Sequence, residues 1–172
     1  MKKILFLGIL LFGNFIFLLG QDVKSIWEQS QRLNQEEKYE EAVVLLQSLK
    51  HQINKKHHDY VQVISFLGTN FIAMGDFSNA EACFMEVLKL QKKNVGKEHI
   101  EYAISLYFLG VIYTYTGNFN KAEKYYFEAI TIEENVLGEK PPDYATFLKN
   151  LGTYYADIHD FESAEKFYLQ IS

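Results

Sequence analysis

A framework of residues recurs every 42 positions along this chain, and this recurrence restricts its fold more than any other feature. Leu-Gly pairs stand at 67–68, 109–110 and 151–152, and a phenylalanine follows each glycine after nine positions. An Ala-Glu pair then recurs at 80–81, 122–123 and 164–165. A fixed period of this length is typical of a repeat array, in which each repeat buries its apolar face against its neighbours.

The spacing within each repeat predicts two helices joined by a short turn. In one repeat, the apolar residues of 106–113 follow the i, i+3, i+4, i+7 rule of a helical face, and a second such face runs over 122–130. Gly117-Asn118 predicts the turn between them. His159 stands where the other repeats have a glycine in this turn, so a positive φ angle there would be mildly strained. The two prolines, at 141 and 142, lie between repeats, and the chain is predicted to be all-α.

A divergent repeat precedes the regular ones. Tyr39, Ala42 and Leu46 match the framework at a spacing of 38, and terminal repeats are commonly atypical. We expect Trp27 to pack where a preceding repeat would otherwise sit. The predicted division is a divergent first repeat over 21–58, repeats over 59–100, 101–142 and 143–172, and a last repeat truncated by roughly eight residues in its second helix.

The first 20 residues have the layout of a secretory signal peptide. Lys2 and Lys3 precede a nearly unbroken apolar run from Ile4 to Leu19, and the chain turns polar at Gln21. We therefore predict cleavage near Gly20–Gln21 and export to the periplasm or the extracellular space. The alternative is an uncleaved membrane anchor, although the run is just short of the length of a spanning helix.

Charge and cysteine content narrow the function classes. Removal of Lys2 and Lys3 from the 17 basic residues leaves 15 against 22 acidic ones, without a block of either sign. Nucleic-acid binding needs a basic stripe, so we expect no nucleic-acid partner. Cys83 is the only cysteine, which rules out an internal disulfide, and its place on a helix predicts a small buried side chain.

Leu-Gly on the first helix and Ala followed by Phe or Tyr on the second resemble the tetratricopeptide repeat (TPR) family, over about residues 22–172. The 42-residue period, with Asp143-Tyr144-Ala145-Thr146 ahead of Asn150-Leu151-Gly152, is similar to the extended repeats of the kinesin-light-chain type. With the leader, this indicates an exported bacterial protein. The resemblance implies a right-handed superhelical solenoid of antiparallel helix pairs, and a non-catalytic scaffold that binds a protein or peptide through its concave face.

By the same resemblance, first-helix residues that point away from the helix pair line that concave face. Carried over by register, the partner-binding candidates are Gln62, Ser65, Thr69, Ile104, Tyr107, Val111, Tyr115, Thr146, Lys149, Thr153 and Asp157. Tyrosines offer a large rigid contact surface, so we expect Tyr107, Tyr115 and the positively charged Lys149 to contribute most to binding. The alternatives are that the two tyrosines are buried between repeats, or that these residues merely face solvent.

No residue pattern predicts a catalytic, cofactor-binding or metal site. His51, His57, His58 and Asp59 lie close in sequence, but no pair of them has a strong zinc-ligand spacing. We expect a protein or peptide partner, and no membrane contact unless the N-terminal segment stays uncleaved. A second function remains open: an N-terminal regulatory array of a larger enzyme or signalling protein, such as a caspase-like (CHAT) protease or a sensor kinase, with its effector domain beyond Ser172.

Overall fold

The computed structural model describes residues 23–55, 58–138 and 144–171, so the predicted signal segment over 1–20 lies outside the described residues. The described chain forms eight α-helices and no strand: α1 Val23–Gln35, α2 Tyr39–Gln52, α3 His58–Ala73, α4 Phe77–Asn94, α5 Ile100–Tyr115, α6 Phe119–Leu137, α7 Tyr144–Asp157 and α8 Phe161–Leu169. The all-α prediction is therefore confirmed. The chain divides into two compact units, an N-terminal unit over 1–76 and a C-terminal unit over 77–172.

In the N-terminal unit, α2 packs against both α1 and α3. The residues that fill this core are completely buried, and they include Ile26, Ala42, Leu46 and Ile64. Ala42 and Leu46 are the positions by which the sequence aligned the divergent first repeat with the others. Both side chains are core residues of this unit.

Two contacts within this unit join α1 and α3, each of which is the first helix of its repeat. Trp27 lies against Phe66, with ring centroids 5.3 Å apart and planes tilted by 60°. The expectation that Trp27 stands in for a preceding repeat is therefore wrong, because its ring packs against the repeat that follows. Nδ2 of Asn34 donates to Oδ1 of the fully buried Asn70 over 3.0 Å, and Nδ2 of Asn70 donates to the Phe66 carbonyl over 2.7 Å. A buried amide is costly unless paired, so these bonds offset its desolvation.

In the C-terminal unit, each helix packs against the next one along the chain. Leu109 and Leu151, from the recurring Leu-Gly pairs, are 0% and 1% exposed, and the recurring alanines Ala122 and Ala164 are buried as well. Cys83 is buried, as predicted. One buried polar pair lies in this core: Oγ of Ser105 donates to Oε1 of Gln91 over 2.7 Å. A hydrogen bond of this kind offsets the desolvation of both side chains.

The turns between first and second helices share one backbone geometry. The second residue after the first helix has a positive φ angle at Glu37, Gly75, Gly117 and His159, of 58°, 74°, 74° and 63° respectively. The next residue donates its amide to a carbonyl five positions back, as from Asn118 to Tyr113 over 2.8 Å. This is the Schellman arrangement, which favours glycine because a side chain is strained at positive φ. His159 therefore has the positive φ angle at which the sequence analysis expected mild strain, and Glu37 has a positive φ angle as well.

The two described close approaches of a first-helix glycine to a second-helix aromatic ring lie in the C-terminal unit. A Cβ atom added to Gly110 would lie 2.6 Å from two ring carbons of Tyr126, and one added to Gly152 would lie 2.6 Å from Cε1 of Tyr168. Both distances are far inside normal van der Waals contact. Glycine is thus required at 110, because the ring that occupies the space of a side chain belongs to the buried Tyr126, whereas Tyr168 beside Gly152 is 41% exposed.

Two tyrosine–glutamate hydrogen bonds in this unit each link a second helix to the first helix that follows it. The hydroxyl of Tyr113 on α5 donates to Oε1 of Glu81 on α4 over 2.5 Å, and that of Tyr155 on α7 donates to Oε2 of Glu123 on α6 over 2.9 Å. Each tyrosine ring also stacks on an aromatic ring of its own helix pair: Tyr113 on Tyr125 at 5.4 Å, and Tyr155 on Phe167 at 5.4 Å. Successive repeats are therefore joined by the same contact, 42 residues apart.

Candidate functional site

The three site candidates of the N-terminal unit lie on α3. Gln62 is exposed, whereas Ser65 and Thr69 are half-buried. The Ser65 hydroxyl donates to the Val61 carbonyl over 2.9 Å, and the Thr69 hydroxyl donates to the Phe66 carbonyl over 2.8 Å. Since both hydroxyl protons are used within the helix, these oxygens can offer a ligand their lone pairs.

The four candidates on α5 form one stripe, because their spacings of three and four residues follow the helical repeat. Tyr115 is 68% exposed and Ile104 is 45% exposed, while Tyr107 and Val111 are half-buried. The alternative of complete burial between repeats is therefore wrong for Tyr115 within this unit. The stripe presents a mixed aromatic and aliphatic surface.

The ring of Tyr115 is held in place although most of it is exposed. It stacks on Phe77, the first residue of α4, with ring centroids 5.2 Å apart and planes 12° from parallel. Offset stacking of this kind restricts the rotamers of both rings. A partner would therefore meet a tyrosine whose orientation is already selected.

Tyr107 rests on Tyr126, with ring centroids 5.6 Å apart, and touches the neighbouring Phe108 edge-on at 5.7 Å. Tyr126 is only 3% exposed and lies over Gly110. Burial raises the pKa of the Tyr126 hydroxyl to about 12, and the nearby Tyr107 and Tyr115 add to this effect. This phenol therefore stays neutral at physiological pH.

The candidates on α7 add polar groups to the C-terminal unit. Lys149, Thr153 and Asp157 are exposed, and Oγ1 of Thr153 lies 3.2 Å from the Tyr168 hydroxyl. The side chain of Thr146 lies outside the described residues. We call the candidates on α5 and these three residues the first-helix face of the C-terminal unit.

A cleft of about 330 Å³ in the N-terminal unit was not predicted from the sequence. Its walls come from α1, α3 and the end of α2. The apolar residues that line it include Trp27, Leu49, Ile53 and Val63, and the charged residues Lys24 and Asp59 line it as well. The site candidate Gln62 also lines it. The apolar residues of α1 and α3 are visible in the sequence, but their arrangement around the cleft depends on how the helices pack.

Two kinds of feature were not found among the residues that the structure describes. Among residues 23–55, 58–138 and 144–171, no group of three or more His, Cys, Asp or Glu side chains could hold a metal ion. Within the same ranges, none of the helices combines the length and the apolar character needed to cross a membrane. The groups that the fold does bring to its surface are aromatic rings, hydroxyls and single charges, which are the means of non-covalent recognition.

Comparison with known proteins identifies this architecture. The sequence profile of the tetratricopeptide repeat matches residues 59–135 and 115–171. A search of curated proteins found no match. The structure is similar to that of BtubC (BKLC) from P. vanneervenii, with a TM-score of 0.69 and 23% identity over 87% of this chain and 61% of that one.

It is also similar to a Podosopora anserina protein described as "kinesin light chain nearly identical TPR-like repeats", with a TM-score of 0.71 and 20% identity. That match covers 87% of this chain and 72% of the other. The chain thus spans about three fifths of the length of BtubC. At these identities the likeness establishes a shared fold of paired helices, and it carries no further functional information.

Proposed function

Because this chain belongs to the tetratricopeptide repeat family, whose members generally mediate protein–protein interaction, we propose that it is a non-catalytic scaffold that binds a protein or peptide through its first helices. In the C-terminal unit the binding surface is the first-helix face, which corresponds to the concave face of such arrays. Tyr107, Tyr115 and Lys149 are its main contributors. Gln62, Ser65 and Thr69 supply hydrogen-bonding groups on the N-terminal unit.

The observation that carries this proposal is Tyr115. Its large aromatic side chain is 68% exposed, and the stack on Phe77 orients the ring. Ordering a side chain at an interface costs about 0.5–1.5 kcal/mol, and a pre-oriented ring avoids part of that cost. Tyrosine is also enriched among residues that dominate binding energies.

The chemistry of the face restricts its ligand. Ile104 and Val111 add apolar surface beside the two tyrosines, and Lys149 on α7 adds a positive charge. The ligand that fits is a segment with an apolar or aromatic side chain for the α5 stripe and a carboxylate for Lys149. Without residues 1–20 the chain has 15 basic and 22 acidic residues, a net charge of −7 that disfavours a strongly acidic partner, so the carboxylate is single and polyacidic tails are poor ligands.

A photo-crosslinking experiment tests the surface and captures the partner even though its identity is open. A photoreactive phenylalanine analogue replaces Tyr115 in one variant and the exposed Lys124 on the second helix α6 in a matched control. We expect a specific adduct, suppressed by excess unmodified protein, from position 115 and none from position 124. Adducts from position 124 alone, or from neither position, would contradict the proposal.

We further propose that the segment over 1–20 directs export and is removed, which leaves Gln21 as the first residue. Mass spectrometry of the protein from its native host tests this, and an intact Met1 on membrane-bound protein would indicate an anchor. The second function, a regulatory array ahead of a protease or kinase domain, stays a prediction. Reading the gene beyond codon 172 tests it.

A further inference from the structure

The cleft of the N-terminal unit has the size and the lining of a small-molecule site. Its volume of about 330 Å³ lies at the lower end of the range of about 300–1,000 Å³ in which ligand pockets fall. Apolar side chains of α1, α3 and the end of α2 form most of its lining, and a few polar groups join them. This combination is typical of pockets that bind a compact ligand.

The apolar walls of the cleft are part of the packed core. Leu49 and Val63 are buried, so their positions are fixed by the contacts between the helices. Trp27 is half-buried, and its ring contacts that of Phe66 with centroids 5.3 Å apart, which restricts its orientation. A ligand with an apolar body therefore meets a preformed surface, and its burial there removes apolar area of both molecules from water.

Two side chains of opposite charge lie beside these walls. Lys24 in the first turn of α1 and Asp59 in the first turn of α3 both line the cleft. Nζ of Lys24 lies 3.8 Å from Oε1 of Glu28, and such exposed pairs contribute little energy, so the ammonium can turn to a ligand. A carboxylate has lone pairs for several donors, so Asp59 can accept from a ligand besides its contacts within the protein.

We propose that this cleft binds a free amino acid with a large apolar side chain, such as leucine or phenylalanine. The side chain of the ligand lies against the apolar walls. Its α-carboxylate pairs with Lys24, and its α-ammonium group pairs with Asp59. A zwitterion matches both charges, whereas the first or the last residue of a peptide carries only one of the two. This binding does not depend on the partner binding proposed above.

Trp27 is the only tryptophan of the chain, so its fluorescence reports on the cleft directly. Excitation at the red edge of its absorption avoids the tyrosines, and leucine and phenylalanine do not absorb there. We expect both amino acids to shift the emission of the purified protein to shorter wavelength, with a Kd of about 0.1–1 mM. Alanine, which lacks the apolar body, should bind more weakly by about tenfold or more.

Blocked derivatives of phenylalanine test the two charges separately. Phenylalanine amide lacks the carboxylate and N-acetylphenylalanine lacks the ammonium group, so each should bind about three- to fivefold more weakly than phenylalanine. For Lys24→Gln the amide should bind about as well as phenylalanine, and for Asp59→Asn the N-acetyl derivative should do so. Arg32→Gln removes an exposed cation from the same helix α1, and this matched control should preserve both differences.

An unchanged Trp27 emission with leucine and with phenylalanine would overturn the proposal. Equal responses to alanine and phenylalanine would overturn it as well, because the apolar walls would then take no part in binding. Blocked derivatives that bind the unchanged protein as tightly as phenylalanine would contradict the assignment of Lys24 and Asp59. An emission that lies at short wavelength without ligand and that no amino acid changes would show that another part of the chain fills the cleft.

Discussion

Gly110→Ala should destabilise the protein, although alanine is the better helix former. The new Cβ atom would lie 2.6 Å from Cδ1 and Cε1 of Tyr126 and 2.8 Å from Cγ, where normal contacts are about 3.5–4.0 Å. The Tyr126 ring is 3% exposed and cannot move into solvent. Overpacking of this kind costs about 3 kcal/mol at the upper end of its range, and helix propensity returns about 1 kcal/mol. We therefore expect a net loss of about 2 kcal/mol in the free energy of unfolding.

The cause of this loss can be isolated with a double-mutant cycle. Tyr126→Ala alone should cost about 3–5 kcal/mol, because it removes a buried ring. In that background the space beside Gly110 is open, so Gly110→Ala should stabilise the protein by about 1 kcal/mol. The coupling between the two positions is then about 3 kcal/mol. Gly152→Ala is a matched control, because Tyr168 is 41% exposed and can swing outwards, and its cost should be near zero.

Chemical denaturation followed by helical circular dichroism measures these free energies, and a loss of about 2 kcal/mol should lower Tm by roughly 4–8 °C or more. A Gly110→Ala protein as stable as the unchanged one would refute the proposed overlap with Tyr126. An equal cost of the same substitution in the Tyr126→Ala background would refute it too, since the ring would then not be the obstacle.

Two further predictions concern the turns and the tyrosines. His159→Gly should raise the free energy of unfolding by about 0.5–1 kcal/mol, because it removes the strain of a side chain at a φ of 63°. Gly117→His should lower the free energy of unfolding by about the same amount. The two variants should therefore shift Tm in opposite directions. Stability should fall between pH 10 and about 12, because burial, aided by the bond to Glu123, raises the pKa of Tyr155 from 10.0 to about 12, and burial does the same for Tyr126. The unfolded chain releases these protons first, so the stabilisation is complete below about pH 10 and is lost as the pH approaches about 12. Tyr155→Phe should flatten this pH dependence in denaturation curves, and an unchanged curve would contradict the assignment.

Much of the fold follows from the sequence because it depends on local spacing. The recurring leucines, alanines and glycines mark positions where two helices touch, and the structure buries Leu109 and Ala122 as predicted. The requirement for a positive φ angle at His159 could be predicted because glycine holds that place in the other regular repeats. Glu37 carries no such mark, since the first repeat diverges and aligns only at a spacing of 38.

The remaining contacts could not be predicted because they depend on which faces meet between helices. Glu81 and Tyr113 are both visible in the sequence, but only the packing of α5 on α4 brings the carboxylate to the hydroxyl. The same holds for the stack of Tyr115 on Phe77, which turns an exposed residue into an oriented one. Trp27 was misassigned for this reason, since its direction on α1 decides its partner.

Binding of a partner by the first-helix face of the C-terminal unit is the central claim, and Tyr115→Ala tests it most directly. Once crosslinking has identified the partner, calorimetry gives its Kd for the unchanged protein and for the Tyr115→Ala variant. Circular dichroism gives the Tm of each of these two proteins. A side chain that is 68% exposed contributes little to the core, whereas loss of an interface hot spot costs about 2 kcal/mol or more, equivalent to roughly 30-fold in Kd. We predict that Kd rises by roughly this factor while Tm stays within about 2 °C. An unchanged Kd, or a parallel loss of affinity and stability, would contradict the claim.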